Sequence, residues 1–170
     1  MKHRAKTVAL LISAVLALTA CGGGGGADSP AAGANASWMD VAADGTSTIS
    51  SSRLGTALSS LPVESLSAAE QASLAYMREE EKLAHDVYAY LNTLWGASLP
   101  IFNNIAASEA THAAAVLTLL QRYSLADPAA TTAAGQFVNP TLQSLYAQLT
   151  ASGARSLVDA LKVGAEIEEV

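Results

Sequence analysis

The stretch SAAEQASLAYMREEEKLAHDVYAYLNTLWG, Ser67 to Gly96, opens on Ser67-x-x-Glu70, a capping box, and closes on a glycine. Between these signals Met77, Glu81, Ala84, Tyr88, Leu91 and Trp95 recur in steps of four and three, the period of one helix face. The spacing predicts a helix of about 28 residues, roughly 42 Å long. A second helix is expected from Pro100 or Ile101 to Tyr123, followed by a loop from Asp127-Pro128 through Gln136. Asn139 as cap with Pro140 in the first turn opens a shorter helix ending before Gly153, and Ser156 with Asp159 opens another that runs on at Val170. No stretch sustains a strand alternation, so the fold class is all-α, framed by two long helices.

Charge interrupts the apolar stripes at particular places. On the second helix the core-facing series is Ile105, Glu109, His112, Val116, Leu119 or Leu120, and Tyr123, so a Glu and a His fill successive core slots. Glu81 does the same on the first helix, and Glu168 follows Val158, Leu161 and Ala165 on the last. An unpaired buried carboxylate costs several kcal/mol, and three facing one interior cost more unless a positive charge sits among them. A bound cation answers this, because Glu and neutral His at i and i+3 on one helix can both reach a metal at a bundle axis. Carboxylate and imidazole donors suit iron or manganese, and zinc also fits them.

A second reading stands beside the first. Glu79-Glu80-Glu81-Lys82 is also the pattern of a solvated charge run, and Glu-x-x-His occurs on many helices without a metal. The chain is then a metal-free helical interaction module in which Glu109 and His112 form an internal hydrogen-bonded pair. In either case His85, a quarter turn off the stripe, is expected at the surface, and Tyr88, Tyr123 and Met77 are expected as core packing.

The 170 residues suffice for one domain, with 51% apolar and 14% charged residues. Lys2, Arg4 and Lys6 precede an apolar run from Val8 to Leu18 and the small residues before Cys21, an export signal over 1–20. The run Thr7 to Ala20 is shorter than a bilayer span. Small residues before the single cysteine resemble the lipobox of bacterial lipoproteins, so Cys21 is expected to carry lipid and anchor the chain to a membrane in the cell envelope. Gly22 in place of Asp after it favours the outer membrane in a Gram-negative cell. With one cysteine, neither an intramolecular disulfide nor a cysteine metal cluster can form. Residues 21–60, rich in Gly, Ser and Ala, read as a flexible tether reaching roughly 35 Å, and 61–170 as the folded domain. Without the signal, six bases face fifteen acids, a net charge of -9 that disfavours nucleic acid and anionic lipid surfaces.

Tyr76-Met-Arg-Glu-Glu-Glu-Lys-Leu-Ala-His-Asp-Val-Tyr88, Ile101-Phe-Asn-Asn-Ile-Ala-Ala-Ser-Glu-Ala-Thr-His112 and Leu157-Val-Asp-Ala-Leu-Lys-Val-Gly-Ala-Glu-Ile-Glu-Glu169 together resemble the ferritin-like family known as domain of unknown function 2202. The resemblance covers roughly 61–170. More distantly, Glu109-x-x-His112 and Glu81 with Ala84 and Tyr88 are similar to the second and first helices of rubrerythrins. That kinship implies a four-helix bundle holding two irons, with possible peroxide or oxygen chemistry, and with Glu81, Glu109 and His112 at ligand positions. Its last-helix Glu-x-x-Glu falls on Glu166 and Glu169, whereas the stripe selects Glu168; Glu169 and Glu168 rank above Glu166. Two departures follow. Position 85, where the family pattern implies Arg, is His. A further ligand-bearing helix is implied beyond Val170, so the expectations are a bundle truncated before its last helix, a homodimer that completes it, or a single metal with fewer ligands. No residue singles out a substrate or an electron donor.

Overall fold

The structure, a computed structural model, describes residues 37–44 and 46–169. The export signal over 1–20, Cys21 and the first part of the tether lie outside the described residues. The architecture is all-α: α1 (Ser51–Ser59), α2 (Ala68–Trp95), α3 (Ile101–Arg122), α4 (Pro140–Gly153) and α5 (Leu157–Ile167), preceded by a hairpin of β1 (Met39–Val41) and β2 (Ser47–Ile49). Among the described residues no helix is long and apolar enough to cross a membrane.

The capping box closes as the sequence predicts: Glu70 N–H donates to Ser67 Oγ, and Ser67 N–H donates to Glu70 Oε2. Asn139 Oδ1 accepts from Thr141 and Leu142 N–H at the start of α4, and Ser156 Oγ accepts from Asp159 N–H at the start of α5. α4 includes Gly153, and α5 ends at Ile167 with Glu168 as its C-cap, so the last helix does not run on to Val170 as expected.

α2 and α3 are joined by a short turn and pack antiparallel, which brings Leu91 to Phe102 at one end and Leu74 to Leu119 and Leu120 at the other. α4 and α5 lie on the outer side of α2, where Leu142, Leu149, Ala160, Val163 and Ile167 complete one core with Leu83, Val87 and Leu91. Among the stripe residues, Met77 and Trp95 are half-buried and Tyr123 is half-buried at the edge of the second core. Trp95 Nε1 donates to the Gly153 carbonyl, a polar tie at the rim of the core.

Residues 39–44 and 46–59, expected as part of the tether, are folded. Asp44 Oδ1 accepts from both N–H and Oγ1 of Thr46, closing the hairpin turn. Asp40 pairs with Arg53, which links the hairpin to α1. Leu54 and Leu58 of α1, with Trp38 and Ile49, pack on the far end of α3 around Ala115, Leu119 and Leu120. A handful of apolar residues, spaced to meet one exposed face of α3, is sufficient to fix a chain that its average composition would leave loose.

Candidate metal centre

Glu81 on α2, with Glu109 and His112 on α3, have donor atoms that all lie within 4.8 Å of one another. The three side chains are buried, with relative exposures of 3%, 5% and 7%. Helical periodicity places Glu109 and His112 one turn apart on the same face, and the antiparallel partner presents Glu81 opposite them. His112 Nδ1 lies 3.1 Å from Glu109 Oε2 and 3.6 Å from Glu81 Oε2.

The other ring nitrogen is held by the hairpin. Ser47 Oγ on β2 is 2.7 Å from His112 Nε2. Next to it, Ile49 N–H donates to Thr111 Oγ1 at 3.0 Å, so the strand is fastened to α3 one residue before the histidine.

The electrostatics are those of an acidic interior. Burial of the His112 ring disfavours its charge, but the hydrogen bonds and negative charges of Glu109 and Glu81 outweigh it and push its pKa up to about 10. Burial also raises Glu81, aided by the charge of Glu109 and opposed by His112. Without a metal the ring is therefore an imidazolium between carboxylates. Glu80, half-buried, feels the same cluster. Desolvation, and then the charges of Glu81, Glu109 and Glu168, push its carboxyl up to about 8, against the attraction of His112. The apolar stripe passes through Glu81 and skips Glu80, so periodicity alone did not mark this second carboxylate.

The centre opens on a cleft of about 630 Å³ between α3, α5 and the hairpin, lined by Glu109, His112 and Ser47 and by Glu168 and Tyr88. Tyr88 is 2% exposed, and its hydroxyl contacts the Gly164 carbonyl at 2.9 Å and Glu168 Oε1 at 2.8 Å. That contact aims Glu168 at the cleft, although much of its surface meets solvent. Glu168 lies outside the close trio, and Glu166 and Glu169 are exposed and line neither the trio nor the cleft. Of the last-helix carboxylates, the structure brings only Glu168 toward the centre. The family-like spacing falls on Glu166, which lies on the exposed face of α5, and on Glu169, which follows the helix end at Ile167 and is exposed as well.

The neighbouring charges do different work. Glu79, 4% exposed, points away from the cluster and accepts from Val138 and Asn139 N–H, pinning the entry to α4. Asp86 accepts from Lys82 Nζ and from the N–H of Gly135, whose φ of 72° turns the chain toward it. His85 is half-exposed and pairs its Nδ1 with Asp86 Oδ1 at 2.9 Å, so at position 85 the chain still has a polar partner, for Asp86 and not for the Glu cluster.

The donor set fits a divalent cation: two carboxylates offset its charge, an imidazole nitrogen adds a borderline donor, and all three residues are buried while Glu109 and His112 also line the cleft.

A helical fold whose two longest helices bury a Glu, Glu, His donor cluster defines an all-α protein with a potential metal-binding core. The chain belongs to the family described as "Uncharacterized protein domain (DUF2202)", which residues 70–170 match. It is similar to an uncharacterized protein of Methanocaldococcus jannaschii, 50% identical over 113 residues, which is 66% of this chain and 60% of the archaeal one. The chain thus spans about 60% of the length of that relative. No solved structure matches.

Proposed function

We propose that the protein is an exported, lipid-anchored, ferritin-like metal-binding protein in which Glu81, Glu109 and His112 hold a divalent transition metal, with iron the first choice and manganese or zinc the alternatives. The observation that carries the reading is the convergence of two buried carboxylates and a buried imidazole from separate helices, with donor atoms within 4.8 Å. Burying that much negative charge is costly unless a cation offsets it.

In this reading Glu81 and Glu109 neutralise the ion and His112 offers Nδ1. Glu80 and Glu168 are further carboxylates near enough to act on the same charge balance, a supply that two metals could share. Tyr88 restrains Glu168, and the cleft gives small molecules a way in. Iron, when bound in such a setting, supplies peroxide or oxygen chemistry. The exposed Ile101 and Leu161, which line the cleft, would be covered in a homodimer that completes the bundle. The lipid anchor rests on the Cys21 sequence pattern.

Elemental analysis of the purified chain tests the centre. Stoichiometric metal in the wild type, lost in Glu109→Ala, is expected; wild type free of metal after growth and purification with iron present contradicts it. Labelled fatty acid carried by the wild type and absent from Cys21→Ser tests the anchor; equal labelling refutes it.

The second reading, a metal-free helical module, is favoured by one observation: His112, Glu109 and Glu81 already satisfy one another, and no buried side-chain polar atom lacks a partner among the described residues. It predicts a melting temperature indifferent to chelators and to added iron.

A further inference from the structure

We infer that Ser47, on a hairpin outside the family-matched residues, is the positioning residue that selects which nitrogen of His112 faces the metal, an inference that rests on the metal reading above. A neutral imidazole has one protonated and one bare nitrogen, and only the bare one can take a metal. His112 has a different partner on each side, carboxylates at Nδ1 and a hydroxyl at Nε2. Nδ1 looks at the Glu81 and Glu109 carboxylates, at 3.6 Å and 3.1 Å, where a cation belongs. Nε2 looks at Ser47 Oγ at 2.7 Å, a short contact to a hydroxyl that can accept its proton.

A proton kept on Nε2 and donated to Ser47 leaves the Nδ1 lone pair for the metal and fixes the plane of the ring. The alternative tautomer would put a proton against the cation, with the Ser47 hydroxyl turned to donate to a bare Nε2. Ligating histidines are commonly oriented by such a partner on the far nitrogen.

The rest of the hairpin is built to keep Ser47 there. Ile49 N–H is bonded to Thr111 Oγ1, and Ser47 pairs with Val41 in the ladder. The Ser50 N–H is bonded to the Trp38 carbonyl, closing the hairpin base where Trp38 and Ile49 join the α1 core. The contact spans 65 residues of sequence, and Ser47 lies ahead of residue 70, where the family match begins. This chain therefore places a partner for the metal-ligating ring in a segment that precedes the family domain.

The test uses the purified full chain as wild type, Ser47→Ala and Ser47→Thr, with two readings: affinity for zinc by chelator competition, and the long-range proton–nitrogen correlations of the His112 ring. The expected wild type is metallated at Nδ1 with a proton on Nε2. Ser47→Ala is expected to lose about 10- to 100-fold in affinity and to divide the metallated ring between coordination at Nδ1 and at Nε2, and Ser47→Thr, which keeps the hydroxyl, to restore both readings. Unchanged affinity with an unaltered tautomer in Ser47→Ala overturns the inference, and so does a loss of affinity with the ring signals unmoved, which makes Ser47 merely structural. If the wild type takes up neither zinc nor iron(II), the metal reading has failed on its own, and the metal-free ring decides for Ser47. A slowly exchanging Nε2 proton lost in Ser47→Ala supports the contact; the same proton unaffected overturns it.

Discussion

His112 Nδ1 lies 3.1 Å from Oε2 of Glu109, one turn back on α3, and the nitrogen that would bind a metal is therefore the one that holds a proton in the metal-free protein. Its pKa of about 10 keeps it charged at neutral pH. A metal must displace that proton. Calorimetry of metal uptake near pH 7 in buffers of different ionisation enthalpy is expected to show release of about one proton or more, with affinity rising about tenfold per pH unit. A heat that is the same in every buffer contradicts this.

Glu80 and His112 both have folded-state pKa values above their ordinary ones, near 8 and near 10. Each group therefore contributes stability that is fully present below its unfolded pKa and lost as pH rises through its folded one. For Glu80 the window runs from about 4.5 to about 8, and for His112 from about 6.5 to about 10. The melting temperature of the metal-free protein is expected to fall from pH 5 to pH 9. Glu80→Gln, uncharged and of similar shape, is expected to raise it above pH 7 and to flatten the first part of the slope. A Glu80→Gln profile that overlays the wild type would show that Glu80 is not part of this acidic cluster.

Glu79 sits in the same run of three glutamates and serves the fold alone. Its carboxylate holds the N–H groups of Val138 and Asn139 at the entry to α4. Glu79→Ala leaves those amides without their acceptor and is expected to cost about 2–4 kcal/mol in denaturant unfolding. Metal affinity of the folded variant is expected to stay within about twofold of wild type. A large loss of affinity would mean that Glu79 communicates with the centre.

Thr111 fastens the hairpin to α3 without touching the centre, through the 3.0 Å bond it accepts from Ile49 N–H. Thr111→Val keeps the volume and removes the acceptor, at an expected cost of about 1 kcal/mol. It is expected to weaken metal affinity in the same direction as Ser47→Ala, by less, since Ser47 itself is kept. Equal affinity in Thr111→Val and wild type would show that the hairpin stays in place without that bond.

The long helices were legible because their signals are local. Ser67, Asn139 and Ser156 each close a cap with a neighbour two or three residues on, and the apolar period survives the whole of α2. Glu81, Glu109 and His112 were legible for the same reason, as charged residues in core slots. The hairpin was not, since strands of three residues show no alternation and their partners lie on α3, sixty or more residues away. Asp44-Gly45 between two short apolar-containing runs was its one local signal. Glu80 was missed because a half-buried side chain beside the stripe has no periodic signature. The choice among Glu166, Glu168 and Glu169 depended on where α5 ends and on Tyr88 reaching across from α2, a contact between residues 80 apart.

The central claim is that Glu81, Glu109 and His112 hold one divalent metal ion between them. Anaerobic equilibrium dialysis of the full chain against iron(II), at neutral pH, measures it directly. The wild type is predicted to bind iron at no less than one equivalent per chain, and Glu81→Gln, Glu109→Gln and His112→Ala each to lose most of that binding while the helical signal is retained. Wild type that binds nothing, or folded variants that bind as well as it does, would contradict the account.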